Sequence, residues 1–221
     1  MGVLCFFATF AAVLLAAGWA AVRAAAEARA GEDRWGQVIA REELRGDGAF
    51  RSSRLVGLRG RAIPRIVWLA GVPGTALGVL SALVIAPASA LLSMYAGFGS
   101  ARIMEPLLWV GLLTAGLSFV SGYFVFAASQ ALLRCERGAG ERAERIGASE
   151  AMLHLFPALI YCALAGPTSV AGVVALVLWS PGAIHGLLLL SAGRRVTAIQ
   201  EAMTDEERDA LPEPPAVRPS L

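Results

Sequence analysis

Apolar and charged positions fall into separate blocks along this chain, where a soluble fold would interleave them. Five apolar runs stand out, at about residues 3–22, 66–95, 106–133, 150–165 and 170–193. At ~1.5 Å per residue, four of them are long enough to cross a hydrocarbon core of ~30 Å, and the fourth run is the shortest. The pattern predicts an all-α fold, a polytopic bundle of about five transmembrane helices.

The first run (within 1–22) resembles a signal peptide in length, and Ala24, Ala25 and Ala26 offer small residues for cleavage. No positive side chain precedes it, however, and Arg23 follows at once, so an uncleaved anchor is expected. Residues 23–65 then carry ten Arg and six acids. Trp35, Val38 and Ile39 recur at helical spacing there, and Gly46-Asp47-Gly48 breaks the pattern. Beyond the break, Arg51, Arg54, Arg59, Arg61 and Arg65 alternate with apolar residues beside the second run, as in segments that lie on anionic lipid headgroups.

The second run exceeds the bilayer thickness and holds Pro73 and Pro87, so it must tilt, kink at Pro73-Gly74, or break in two. Gly74, Gly78, Ala82, Ala86 and Ala90 recur every four residues and form a small-residue stripe suited to close helix packing. Glu105-Pro106 reads as the start of the third span. Residues 134–150 form a second charged block, in which Ser149 is expected to cap the fourth span. Gly166 to Ser169 make a tight turn, so the last two spans form an antiparallel hairpin within a four-helix unit at 66–193. In the tail, 194–221, Thr204 and Glu207 have capping-box spacing, and four prolines then preclude helix.

Composition agrees with this outline: 57% hydrophobic and only 16% charged residues, against roughly a quarter charged in soluble domains. Every basic residue is Arg, and both Lys and Asn are absent, a bias that points to a GC-rich bacterial genome. Charge also sets an expected orientation. With five spans and the N-terminus outside, eighteen of nineteen Arg lie in the cytoplasm and only Arg102 outside. The inferred location is therefore a bacterial inner membrane, with the chain N-out and C-in. Nucleic acid is not an expected partner, because the acids among the arginines and the bilayer tether both oppose it.

Few residues carry chemistry. Cys5, Cys135 and Cys162 lie in different segments, and no metal-ligand spacing is present, so neither disulfide nor metal is expected. Cys135, between the third and fourth spans, is expected to react with thiol reagents from the cytoplasmic side alone. Two ionisable groups sit inside the apolar runs, His154 and His185. Counted from the Gly166 turn they share the same half of the membrane and could face each other across the hairpin, with no carboxylate expected beside either ring. Glu105, at the membrane edge, reads as a cap.

No nucleophile elbow, phosphate loop or intramembrane Asp pair is present, and no cofactor is expected. The leading expectation is a non-catalytic scaffold, assembly factor or accessory subunit that packs laterally with a protein partner or a second copy. A small transporter or channel component is the alternative, favoured by the proline-broken spans and weakened by the lack of an expected buried acid. A redox or metal enzyme using His154 and His185 is the third.

Overall fold

The computed structural model describes residues 2–45, 63–97 and 104–213, with side chains over 11–44, 63–95 and 105–213. Arg51, Arg54, Arg59, Arg61 and Arg102 lie outside the described residues, whereas Arg65 is described and exposed at the start of a helix. The regular structure among the described residues is all helical. It comprises α1 (Gly2–Arg45), α2 (Arg65–Leu80), a π-helical turn (Ser81–Ile85), α3 (Ala86–Gly97), α4 (Met104–Leu133), α5 (Ala139–Ala165), α6 (Val170–Ala202) and α7 (Asp205–Asp209).

Five helical stretches are long and apolar enough to cross a membrane, with α2, the π turn and α3 together making one of them. The packing is inverted relative to a soluble domain. Ala, Gly, Ser and His make up much of the interior beside large side chains such as Trp35, Trp179 and Leu132, while many other large apolar side chains, such as Leu113 (65% exposed) and Val177 (68% exposed), face outward. A soluble monomer cannot carry such a continuous apolar exterior; the protein is a multi-pass membrane bundle.

Three helices run past the boundaries that hydropathy drew. α1 is one continuous 44-residue helix, and its Arg-bearing half extends straight from the apolar half. The second span passes through Pro73 unbroken; Thr75 Oγ donates to Gly71 O (2.8 Å) within that turn. The irregularity lies further on, where Ala86 N–H bonds Ser81 O five residues back. Pro87 explains it. The proline has no N–H for the carbonyl four residues earlier and its ring crowds that carbonyl, so the helix widens by one residue instead. α5 begins at Ala139 directly after Gly138, which holds the left-handed conformation (φ 67°). Ser149 therefore does not cap a helix: it sits inside α5 and donates to Arg145 O (3.0 Å). Ser169 does cap α6, accepting from Gly172 N–H (3.0 Å), and Thr204 with Glu207 forms the capping box of α7.

The most extensive contact in the bundle is the α5–α6 hairpin. Its seam is made of glycine. A Cβ on Gly147 would lie 2.7 Å from Gly186 O and 2.9 Å from Leu190 Cα, and one on Gly186 2.8 Å from Gly147 O. Gly140 and Gly193 face each other in the same way one heptad along. Backbone therefore touches backbone, which lets dispersion and Cα–H···O contacts act where lipid offers no hydrophobic drive. The stripe on α2 and α3 is also used inside the bundle. A Cβ on Gly78 would meet Gly122 and Phe126 of α4, and one on Gly74 would meet Ser129 of α4 and His185 of α6. Ala86 is buried, and Ala82 and Ala90 are half-buried.

The Arg-rich end is closed by polar side chains that complete helix termini. Trp35 Nε1 donates to Leu132 O (3.0 Å) and Arg34 to Arg134 O (3.3 Å), so α1 serves the last carbonyls of α4, which lack intrahelical donors. Arg208 likewise donates to Gln200 O (3.2 Å) and Met203 O (3.2 Å) at the end of α6. Buried Glu27 pairs with Arg23 and Arg134, and buried Glu136 with Arg134 and Arg142. Arg41–Glu207 and Arg137–Asp209 tie α7 back onto this end.

Cys135 sits inside this end, 1% exposed, and burial, partly opposed by the Arg34 charge, pushes its thiol up to about 12. Burial makes Cys135 a poor reporter of the side from which reagents reach it, because the thiolate is the reactive species and little of it forms. In a variant lacking Cys5 and Cys162, a maleimide added at neutral pH should leave the folded protein unmodified and modify it on denaturation. Labelling of the native state at the rate of the unfolded chain would contradict the buried placement. For orientation, the exposed Arg145 offers a better position for a reporter cysteine.

Candidate functional site

Extending α5 back to Ala139 changes the chemistry of the bundle, because Glu150 becomes an interior residue. It is 3% exposed, one turn before His154, which is fully buried. His154 Nδ1 lies 3.0 Å from Glu150 O and 3.3 Å from Glu150 Oε1. A nitrogen facing two acceptors carries the hydrogen, so Nδ1–H points at Glu150. His154 Nε2 is 3.4 Å from Ser118 Oγ on α4. A hydroxyl both donates and accepts, so this contact suits Nε2 with or without its proton.

The expectation that no carboxylate accompanies either ring is therefore corrected. Glu150 is near His154 in sequence, at the i,i+4 spacing of one helix face. It escapes a reading by hydropathy because the four glutamates of 134–150 look alike until the helix is built. Built, Glu141 is exposed, Glu144 pairs with Arg194 (3.1 Å), Glu136 is covered by arginines, and Glu150 alone of the four turns inward without an arginine partner among the described residues. Its Oε2 is buried with no hydrogen-bond partner among the described residues.

His185 lies in the same region but is turned the other way. Its Nε2 donates to Ala70 O on α2 (2.8 Å), and its Nδ1 is buried without a partner. Gly74 makes this placement feasible, since a Cβ there would lie 2.5 Å from His185 Nε2. Gly182 does the same for His154, with the imidazole 2.7 Å from where its Cβ would be. The two rings thus take partners on different helices, His154 on α4 and His185 on α2, and neither hydrogen-bonds the other. Glu150 is within electrostatic reach of His185 as well as being paired with His154. Ser129 Oγ and Gln130 Nε2 on α4 are also buried and unpartnered among the described residues.

The half of the bundle away from the Arg-rich end is different: its polar groups are satisfied locally. Tyr161 OH donates to Leu107 O (2.8 Å), Trp179 Nε1 to Ser89 Oγ (2.8 Å), and Thr114 Oγ1 to Val110 O (2.7 Å). Tyr161 and Trp179 meet edge to face at 5.1 Å in a closed core with Leu107 and Ile85. Among the described residues, buried unpartnered polar atoms occur at Glu150, His185, Ser129 and Gln130, and further towards the Arg-rich end at Arg142 and Thr197.

A shared haem or metal would need both imidazoles to turn a nitrogen towards one point, and their bonding to α4 and α2 lends that arrangement no support. Among the described residues no three His, Cys, Asp or Glu side chains are grouped to hold a metal ion. Glu105, exposed in the first turn of α4, stands apart from the cluster. Comparison of the chain with protein-family models, with curated proteins and with solved structures returns no match.

Proposed function

We propose that the protein is a small transport protein of a bacterial inner membrane, N-out and C-in, which binds a proton or a cation at Glu150 and His154 inside the bundle. The carrying observation is Glu150: a carboxylate enclosed by membrane helices, with one oxygen unpartnered and an ionisable imidazole against the other. Enclosing such a group costs several kcal/mol, and intramembrane acids with that cost are by default functional. The local geometry adds to this. Pro157 and Pro181 lie inside the continuous helices α5 and α6 and each lacks the N–H that would bond the carbonyl four residues earlier, and the π turn widens the neighbouring span; carbonyls freed in this way can serve a site within a membrane.

The test is transport by the purified full chain in proteoliposomes carrying an internal pH dye. Under an imposed potential, the wild-type protein should move protons faster than empty vesicles, and His154→Ala should reduce that movement at least tenfold. Rates equal to those of empty vesicles, at any imposed potential or candidate solute gradient, would remove the transport reading.

One observation keeps the lateral scaffold as a second reading. An apolar groove between α1, α2 and α4, lined by Trp19, Val79, Leu83, Phe119 and Phe126, has the form of a seat for another transmembrane helix. On that reading the arginines of 51–65 would rest on anionic headgroups and the groove would hold a partner or a second copy. A lone monomer in native-lipid particles would exclude it.

A further inference from the structure

Glu150 is enclosed on the inside of the bundle, yet it also forms the floor of a groove on the outside. Between α4 and α5 a depression of about 310 Å³ is lined by Leu117, Val120, Phe124 and Leu153, with Ser121 and Ser149 at its rim and Glu150 beneath. Leu117 (47% exposed) and Phe124 (48% exposed) belong to the lipid-facing surface, so the groove opens sideways into the bilayer and not along the bundle axis. Its size is at the lower end of small-molecule sites.

The polar atoms in this groove share one property. Ser149 spends its hydroxyl hydrogen on Arg145 O (3.0 Å) and Ser121 spends its own on Ser118 O (3.4 Å). Each hydroxyl then offers only lone pairs, and the carboxylate below offers only acceptors. Among the described residues no Arg pairs with Glu150, and the imidazole of His154 engages only one of its oxygens. The groove thus presents apolar walls, the aromatic ring of Phe124, hydroxyl lone pairs and a buried carboxyl group with one unpartnered oxygen. A cation beside an aromatic ring and a buried carboxylate oxygen that lacks a partner gains from both.

We propose that this groove is the binding site for a lipophilic organic cation, a molecule with an apolar body and one delocalised or quaternary positive charge, which enters from the bilayer and places its charge over Glu150. The proposal rests on the reading of Glu150 as a transport site and names the class of solute. An anion would meet the carboxylate and the hydroxyl lone pairs. A neutral lipid tail would fill the walls and leave the free oxygen unpaired.

The experiment is equilibrium binding of tetraphenylphosphonium to the full chain in lipid nanodiscs, with neutral triphenylphosphine oxide as competitor. The expected result is saturable binding near one per chain, weakened at least tenfold in Glu150→Gln. Val120→Trp, which fills the groove, should also abolish it, and Val177→Trp, on a distant lipid-facing surface, should leave it unchanged; thermal unfolding of each variant reports that it is folded. Three outcomes would each overturn the proposal: no saturable binding, equal binding to Glu150→Gln, or equal displacement by the neutral competitor. If proton movement dependent on His154 persists without cation binding, the solute class fails and the transport reading stands. Loss of both removes the transport reading with it.

Discussion

Replacing Gly147 with Leu should prevent accumulation of the folded bundle, whereas replacing Gly116 with Leu should leave it intact. Both glycines lie inside long helices, so their backbone propensities are matched. Their surroundings are opposite. A Cβ at 147 meets the backbone of α6 at Gly186 O, Leu190 N and Leu190 Cα, while a Cβ at 116 meets nothing within 4 Å. Backbone atoms cannot swing aside as a side-chain end can, so the leucine must force α5 and α6 apart along the seam. Overpacking usually costs about 1–3 kcal/mol, and displacing the largest helix pair should lie at or above the top of that range. Yield of monodisperse protein after mild detergent extraction, followed by thermal unfolding, measures the difference. Equal midpoints for the two variants would mean that the hairpin does not pack through glycine.

Glu150→Gln should separate stability from function. The substitution keeps the shape and the acceptor facing His154 Nδ1, and removes a buried charge whose second oxygen is unpartnered. A buried carboxylate costs more to desolvate than a neutral amide, so its loss is expected to outweigh the unpartnered amide N–H that glutamine brings. The expected gain is about 1 kcal/mol, which for a chain of this size raises the unfolding midpoint by roughly 2–4 °C. Proton movement and cation binding should be lost in the same variant. A structural acid would behave in the opposite way, so a midpoint lowered by several degrees would show that Glu150 holds the bundle together instead of serving a site.

These two positions also mark where the sequence stops being legible. The five spans, the cap at Ser169, the capping box at Thr204 and Glu207, and the α5–α6 hairpin all follow from local signals, because hydropathy and capping are properties of a few neighbouring residues. The glycine seam does not announce itself that way. Gly140 and Gly147 fall in a stretch that reads as a charged loop, and their partners Gly186 and Gly193 recur every seven residues, not every four. The four-residue stripe on α2 and α3 is visible, but nothing local says whether it packs within the bundle or against another protein; its contacts with α4 are a tertiary fact. His154 and His185 are conspicuous as ionisable residues in apolar runs. Glu150 is hidden among three similar glutamates, and only the unbroken course of α5 from Ala139 shows which of them turns inward unaccompanied by arginine.

The chemistry proposed here rests on Glu150 being a carboxyl group that exchanges a proton inside the bundle, so the most direct measurement is infrared difference spectroscopy of the full chain in lipid. Spectra are recorded across the pH range in which the fold persists and compared between wild type and Glu150→Gln. The expected result is a carboxyl C=O band that rises and falls with pH in the wild type, shifts in His154→Ala and is missing from Glu150→Gln. A wild-type difference spectrum indistinguishable from that of Glu150→Gln would contradict it.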